Sequence, residues 1–274
     1  MCATCGCSDH GHATLTDPAS GERLAIGAQE HHHHDDHGHH HHHHDHEHAH
    51  GTTVTLEQAV LAKNDRLAER NRGWLEGRGI LALNLMSSPG AGKTTLLERT
   101  IRELGAKTPI SVVEGDQASL LDAERIRATG CPVVQVNTGT GCHLDAEMLA
   151  GALKQLTPPL NSVMMIENVG NLVCPALFDL GERAKIVILS VTEGEDKPLK
   201  YPHMFRAAQL MILNKVDLLP YVEFDPERCL AYARRVNPPI ACLQLSATTG
   251  QGMELWLDWL RAQIGAGPPA ARAL

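Results

Sequence analysis

Aromatic side chains are scarce: three Trp, three Tyr and three Phe in 274 residues, none of them before Trp74. Lys and Arg are outnumbered 24 to 32 by Asp and Glu, so the chain lacks the basic excess of a nucleic-acid footprint or a membrane-surface patch. Long apolar runs are missing too. The best stretch, residues 80–86, is interrupted by Asn84 and falls far short of the ~18 residues a membrane span needs. No apolar core of the signal-peptide kind opens the chain, which makes a cytoplasmic protein the expectation. The eight cysteines suit a disulfide framework poorly, because three crowd into residues 2–7 and the others are scattered. Reduced thiols, some of them metal ligands, fit better.

What is present sits unevenly. Residues 1–51 hold 16 of the 18 His, eight acidic residues and one base, Arg23. That segment carries most of the formal charge of −8 and cannot bury enough apolar surface to offset its ordering entropy. It is read as a Cys/His-rich metal-binding segment, disordered without metal. Residues 52–79 read as a helical lead-in, with Thr55 and Gln58 as a capping box and Leu56, Val60, Leu67 and Trp74 as an apolar stripe. Gly73, Gly77 and Gly79 end it.

From residue 80 onward short apolar runs alternate with amphipathic stretches. Strands are expected at 80–86, 110–114, 133–137, 162–166, 185–191, 210–213 and 240–245. Helices are expected near 94–104, 119–129, 144–156, 201–208, 225–236 and 252–264. Runs of Val, Ile and Leu that are apolar on both faces mean strands buried between helix layers. The fold class is therefore α/β, a mainly parallel sheet sandwiched by helices over residues 80–265, with a frayed tail at 266–274.

Directly after the first of these strands comes Ser87, Ser88, Pro89, Gly90, Ala91, Gly92, Lys93, Thr94, Thr95, a P-loop NTPase pattern with Ser87 at the usual first Gly. Gly90 and Gly92 let backbone N–H groups turn toward phosphate oxygens. Lys93 brings a charge to the β/γ-phosphates, and Thr94 offers a hydroxyl to Mg²⁺. Asn214, Lys215 and Asp217 follow a later strand as Asn-Lys-Val-Asp. An ionised Asp accepts both guanine's ring N–H and its exocyclic amine, whereas adenine offers it an acceptor. With Ser246 and Ala247 after the last strand, the nucleotide expected is GTP or GDP. Glu167 and Gly170 stand where GTPases carry Asp-x-x-Gly, and are candidates for the Mg²⁺ shell and the γ-phosphate. Asp116 at another strand end is a candidate Mg²⁺ or water-positioning carboxylate, or a helix N-cap. Asn171 occupies the place of a small GTPase's water-orienting Gln, so hydrolysis is expected to be slow unless a partner supplies the missing group.

Three metal sites are suggested. Cys2, Cys5 and Cys7 place three thiols within six residues, enough to wrap one divalent ion, with a disulfide or an idle thiol cluster as the bland readings. Residues 31–50 contain 14 His, which favours Ni²⁺, Cu²⁺ or Zn²⁺ and suits buffering rather than catalysis; an expression tag is the trivial alternative. Cys142 and His143 end a glycine-rich loop, and Cys174 follows the Gly170 turn. Thiolate with imidazole suits Zn²⁺ or Ni²⁺, completed by a second copy across a two-fold axis, although Cys174 alone reads better as a small buried side chain. Cys131, Cys229 and Cys242 have apolar neighbours and read as core.

Together these residues resemble one family, the hydrogenase nickel-incorporation GTPases known as HypB. The resemblance rests on Cys-Ala-Thr-Cys-Gly-Cys at 2–7, the His-rich insert, the phosphate loop at 87–95, Gly-Cys-His-Leu-Asp at 141–145, Glu-Asn-Val-Gly-Asn-Leu-Val-Cys-Pro at 167–175 and Asn-Lys-Val-Asp at 214–217. It implies a SIMIBI-type GTPase, dimerising with GTP, that delivers Ni²⁺ to the [NiFe]-hydrogenase large-subunit precursor. A HypA-type accessory protein would be its partner, with a proline isomerase chaperone as a further candidate. It also implies tight Ni²⁺ binding by the N-terminal cysteines and a Ni²⁺ or Zn²⁺ site at Cys142, His143 and Cys174. The similar urease accessory GTPases carry Cys-Pro-His at the metal site, which neither Cys131-Pro132-Val133 nor Cys174-Pro175-Ala176 matches. A nickel reservoir with an incidental GTPase, a urease-type nickel GTPase, and a redox or zinc-stress GTPase are the alternatives.

Overall fold

The computed structural model describes residues 13–17, 20–21, 23–25, 49–116, 120–139 and 141–266. Among them seven parallel strands form the body of one sheet: β3 (Leu81–Ser87), β4 (Ile110–Asp116), β5 (Val133–Asn137), β6 (Val163–Glu167), β7 (Ala184–Ser190), β8 (Leu210–Asn214) and β9 (Ala241–Gln244). A short antiparallel hairpin, β1 (Thr14–Thr16) and β2 (Arg23–Ala25), extends one edge, giving the order β2-β1-β5-β4-β6-β3-β7-β8-β9. The seven expected strands are all present, within a residue or two of their predicted ends.

The hairpin corrects the reading of residues 1–51 as one unstructured segment. Leu15 is buried, and β1 pairs Thr14 with Asn137 and Thr16 with Gln135. The parallel sheet offers the unpaired ladder of β5, and a three-residue strand needs little apolar surface to use it.

Each face of the sheet is covered. Leu83, Leu85, Val112, Met165 and Ile188 point to one side, under α2 (Lys93–Leu104), α3 (Leu121–Arg127) and α9 (Met253–Gly265). Ala82, Val113, Met164 and Ile166 face α1 (Ala49–Glu76) and α4 (Ala146–Leu156) on the other. Beside them Val187, Leu189, Met211 and Leu213 pack on α7 (Pro202–Ala207) and α8 (Pro226–Val236), next to the short α5 (Cys174–Leu177) and α6 (Lys197–Lys200). Successive strand residues alternate between these layers, which is why each strand reads as apolar throughout.

The lead-in helix docks by an unexpected face. Asn64, Ala68, Asn71 and Leu75 are the buried positions among residues 58–76, whereas Val60 and Trp74 are exposed. Thr55 and Gln58 fall inside α1 rather than at its start. Asn64 Nδ2 donates to Asp179 O at 2.8 Å and its Oδ1 accepts from Ala146 N at 2.9 Å; Asn71 Nδ2 donates to Ala146 O and Leu180 O. Buried amides with backbone partners carry this contact, so apolar periodicity points to the wrong stripe. Gly181, at φ 91°, approaches Ala68 O so closely that a Cβ would lie 2.5 Å from it.

Candidate nucleotide and metal site

Loops leaving the carboxyl ends of β3, β4, β6 and β8 enclose a cavity of about 540 Å³, where open parallel sheets bind ligands. Its floor is the turn from β3 into α2. Gly90 and Gly92 take φ of 74° and 97° there, and a Cβ on Gly92 would meet Asn214 Nδ2 at 2.5 Å. Pro89, Thr94 and Thr95 line the cavity, while Ala91 is buried beneath it. Buried Lys93 donates from Nζ to Ser87 Oγ at 2.8 Å, and Thr94 Oγ1 donates to Glu167 Oε1 at 2.8 Å. No side chain caps α2 at Gly92, which leaves its first N–H groups available to an anion.

Opposite the turn stand Glu114, Asp116 and Glu167, all lining the cavity. Burial, and then the charges of Glu167, Asp116 and Asp122, push the Glu114 carboxyl up to about 9. Burial pushes Glu167 up to about 7, against the pull of Lys93 and the Thr94 hydrogen bond. Oε2 of both is buried with no hydrogen-bond partner. Two orphaned carboxylate oxygens beside a hydroxyl are a hard-oxygen donor set, and they fit Mg²⁺. Asp116 closes β4 and is not a helix cap: α3 begins after Leu120, without a side-chain cap.

The base-side residues are organised differently. Asn214 Nδ2 donates to Ala91 O at 2.9 Å, and its Oδ1 accepts from Lys215 N at 2.8 Å and Ala247 N at 3.1 Å. One amide thus ties the phosphate turn to both loops that follow β8 and β9. Lys215, in the left-handed region at φ 63°, donates from Nζ to Gly90 O at 2.7 Å. Ser246 is buried and its Oγ accepts from Thr249 N. Asp217 Oδ1 is buried and has no hydrogen-bond partner, as an acceptor kept for a base N–H would be.

Cys142, His143 and Cys174 lie together, their ligand atoms within 4.8 Å of one another. The Cys142 and Cys174 sulfurs are 2.9 Å apart with no disulfide between them, and Cys142 Sγ is 3.7 Å from His143 Nδ1. Both thiols are buried. Burial pushes His143 down to about 4, so its imidazole is neutral and able to ligate at neutral pH. Phe178 stacks on that ring at 3.9 Å. Asn171 Oδ1 accepts from Val173 N and Cys174 N, fixing the start of α5. Thiolates with a neutral imidazole suit a borderline-soft divalent ion. Cys131 and Cys229 are buried, and Cys242 packs against the core, as expected. Cys2, Cys5, Cys7 and the His-rich residues 31–48 lie outside the described residues.

Glu114, Asp122 and Arg125 also border the cavity and were not singled out in the sequence. Arg125 donates to Glu98 Oε2, Thr95 Oγ1 and Asp122 Oδ1. For Glu114 a signal exists: it is a charged side chain inside a buried strand, not at its end as Asp116 is. Arg125 sits on an ordinary amphipathic helix and carries none.

The nucleotide-binding domain model of the CobW/HypB/UreG family matches residues 81–244. The hydrogenase maturation factor HypB of Escherichia coli (strain K12) is 62% identical over 208 residues, 76% of this chain and 72% of that protein. The hydrogenase/urease maturation factor HypB of Helicobacter pylori is 38% identical over 212 residues, 76% of this chain and 86% of that one. Among solved structures, HypB from Archaeoglobus fulgidus superposes with a TM-score of 0.70 at 44% identity, over 74% of this chain and all of that one. The structure of HypB from Helicobacter pylori in complex with nickel gives 0.71 at 35% identity, over 77% and 100%. A family model spanning most of the chain, and relatives this close over most of their own length, place one conclusion beyond the fold: the chain belongs to the HypB hydrogenase maturation factors of the CobW/HypB/UreG family.

Proposed function

We propose that this protein is a slow GTPase and nickel metallochaperone, which stores Ni²⁺ and delivers it to the large-subunit precursor of a [NiFe]-hydrogenase. In this reading the GTP or GDP state governs metal release and homodimerisation, and a HypA-type protein and a proline isomerase chaperone are the partners, all in the cytoplasm. Residues 80–265 are the GTPase domain, 52–79 its lead-in and 1–51 the storage segment. The nickel complex of the Helicobacter pylori relative supports the choice of metal.

The observation that carries the reading is the sharing of loops. The β6–α5 loop starts at Glu167 in the nucleotide cavity and ends at Cys174 in the metal cluster. Lys93 and the α2 N–H groups take the phosphates, while Asp217 accepts from guanine, with Asn214, Lys215, Ser246 and Ala247 shaping its pocket. Thr94, Glu114, Glu167 and Asp116 would hold Mg²⁺, which when bound offsets charge on the phosphates. Asp116 also orients the attacking water. Cys142, His143 and Cys174 take Ni²⁺, or Zn²⁺ in its place, and a second copy completes the coordination.

The test is a calorimetric Ni²⁺ titration of the full chain with Cys2, Cys5 and Cys7 replaced by Ser, first with GDP and then with a non-hydrolysable GTP analogue. A component that changes affinity with nucleotide and vanishes in Cys142→Ala supports the proposal. Identical isotherms in both nucleotides would leave the GTPase to control partner docking alone. The full chain is required, because cutting at residue 52 strips β1 and β2 from the sheet.

A further inference from the structure

The loop bearing Cys142 and His143 touches the nucleotide cavity's wall at three points. Thr138 N donates to Asp116 O at 3.0 Å, and Thr138 Oγ1 in turn donates to Gly141 O at 2.7 Å. Leu144 is fully buried against Gly115, where a Cβ would come within 2.7 Å of its Cγ. The third point is a side chain. Asn168 Oδ1 accepts from Leu144 N at 3.2 Å, while its Nδ2 donates to Asn84 Oδ1 at 3.2 Å. Asn84 Nδ2 continues to Glu182 Oε1 at 3.0 Å, beneath the sheet.

Asn168 itself is only 1% exposed. It stands between two residues braced against the phosphate turn: Glu167, bonded to Thr94, and Gly170, whose Cβ position lies 3.1 Å from Pro89 Cα. A group entering the cavity beside Pro89 would press on this stretch. The stretch cannot move without changing the bond to Leu144, the residue next to His143. The first two contacts are a backbone bond and packing, which any small strand shift preserves. The Asn168 bond is the one that spans two loops of separate strands.

We infer that Asn168 is a positioning residue that couples the nucleotide state to the Cys142–His143 arm of the metal cluster through the Leu144 amide. This inference rests on the proposed nucleotide-controlled metal site and names its transmission. Asn168 lies in the cavity wall, but its side-chain amide is taken up by Leu144 N, Val169 N and Asn84 Oδ1 rather than turned toward a ligand. Its contribution is a coupling free energy, and such coupling is reciprocal. It also explains why an amide is needed at 168: one side must accept from Leu144 N while the other donates to Asn84, and a carboxylate cannot do both.

The experiment uses the same full chain lacking the N-terminal thiols, with and without Asn168→Ala. Nickel affinity is measured in GDP and in the GTP analogue, and analogue affinity with and without Ni²⁺. With Asn168 present the nickel affinities should differ by about fivefold or more between nucleotides. In Asn168→Ala the two should fall within about twofold of each other, and the nickel effect on analogue binding should shrink by the same factor. Mere loosening of the fold would weaken both affinities without equalising them. A preserved ratio in Asn168→Ala overturns the inference and leaves the nucleotide-controlled site standing. A ratio of one before the substitution removes that site, and the inference with it. Should Asn168→Ala fail to fold, hydrogen exchange at the Leu144 amide decides: different protection in GDP and analogue supports the coupling, and equal protection overturns it.

Discussion

The two ends of the nucleotide cavity are built on opposite plans. At the base end the polar groups are already paired: Asn214 alone ties Ala91, Lys215 and Ala247 together, and Asp217 Oδ1 is the buried oxygen left over. At the phosphate end Glu114 and Glu167 each bury a carboxylate oxygen with no partner, and burial, with the neighbouring Glu167 charge second, raises Glu114 to about 9. The base end is a finished mould, whereas the phosphate end buries acceptors without partners, where Glu114 holds a proton that an incoming cation would displace. Recognition can therefore be rigid while the loop that leads to Cys174 responds to what is bound.

The most severe way to break this contrast is Asp217→Asn. Two hydrogen bonds from guanine to a charged acceptor would be lost or reversed, and GTP affinity should fall on the order of 10³-fold by calorimetry. An unchanged Kd would show that Asp217 does not read the base. Glu114→Gln should cut the Mg²⁺-dependent part of nucleotide affinity by about 10–100-fold, yet stabilise the ligand-free protein.

The sign follows from linkage. Below its usual value near 4.5 the Glu114 carboxyl is protonated in both states and costs nothing. Between there and about 9 the folded state keeps a proton that the unfolded state has lost, so stability drains away as pH rises. The Tm of Glu114→Gln should match the parent at pH 4 and exceed it at pH 8, by about 2–4 °C for each kcal/mol relieved. Equal melting curves at pH 8 would mean that Glu114 is not held protonated. The smallest effect is expected at Phe178→Ala, which frees the His143 ring from its stacking partner. Nickel affinity of the cluster should drop about tenfold with nucleotide affinity unchanged. A loss of GTP binding there would blur the two-part division.

Much of this architecture was legible beforehand, for a physical reason. Strands buried on both faces must be apolar throughout, and a phosphate turn must combine Gly90, Gly92, Lys93 and Thr94, so both leave unambiguous local patterns. The docking face of α1 did not, because Asn64 and Asn71 earn their burial from carbonyls of residues 146, 179 and 180. The coupling at Asn168 was hidden likewise, its partners being an amide at residue 144 and a side chain at residue 84. Hydropathy sees transfer to an apolar interior; it does not see a polar group satisfied by a distant backbone. Residues 14–25 escaped notice because a three-residue edge strand leans on a ladder already built by β5.

That hairpin fixes something about the residues before it. Thr14 stands opposite Asn137, so the chain enters the sheet at the edge from which residues 138–143 depart. Only six residues separate Cys7 from Thr14, a stretch that can span no more than roughly 25 Å. Tethering two sites on one chain raises the effective concentration of one at the other to the order of millimolar, whatever the concentration of the protein. For an ion passing between two sites on one chain, that makes exchange a matter of geometry rather than of supply.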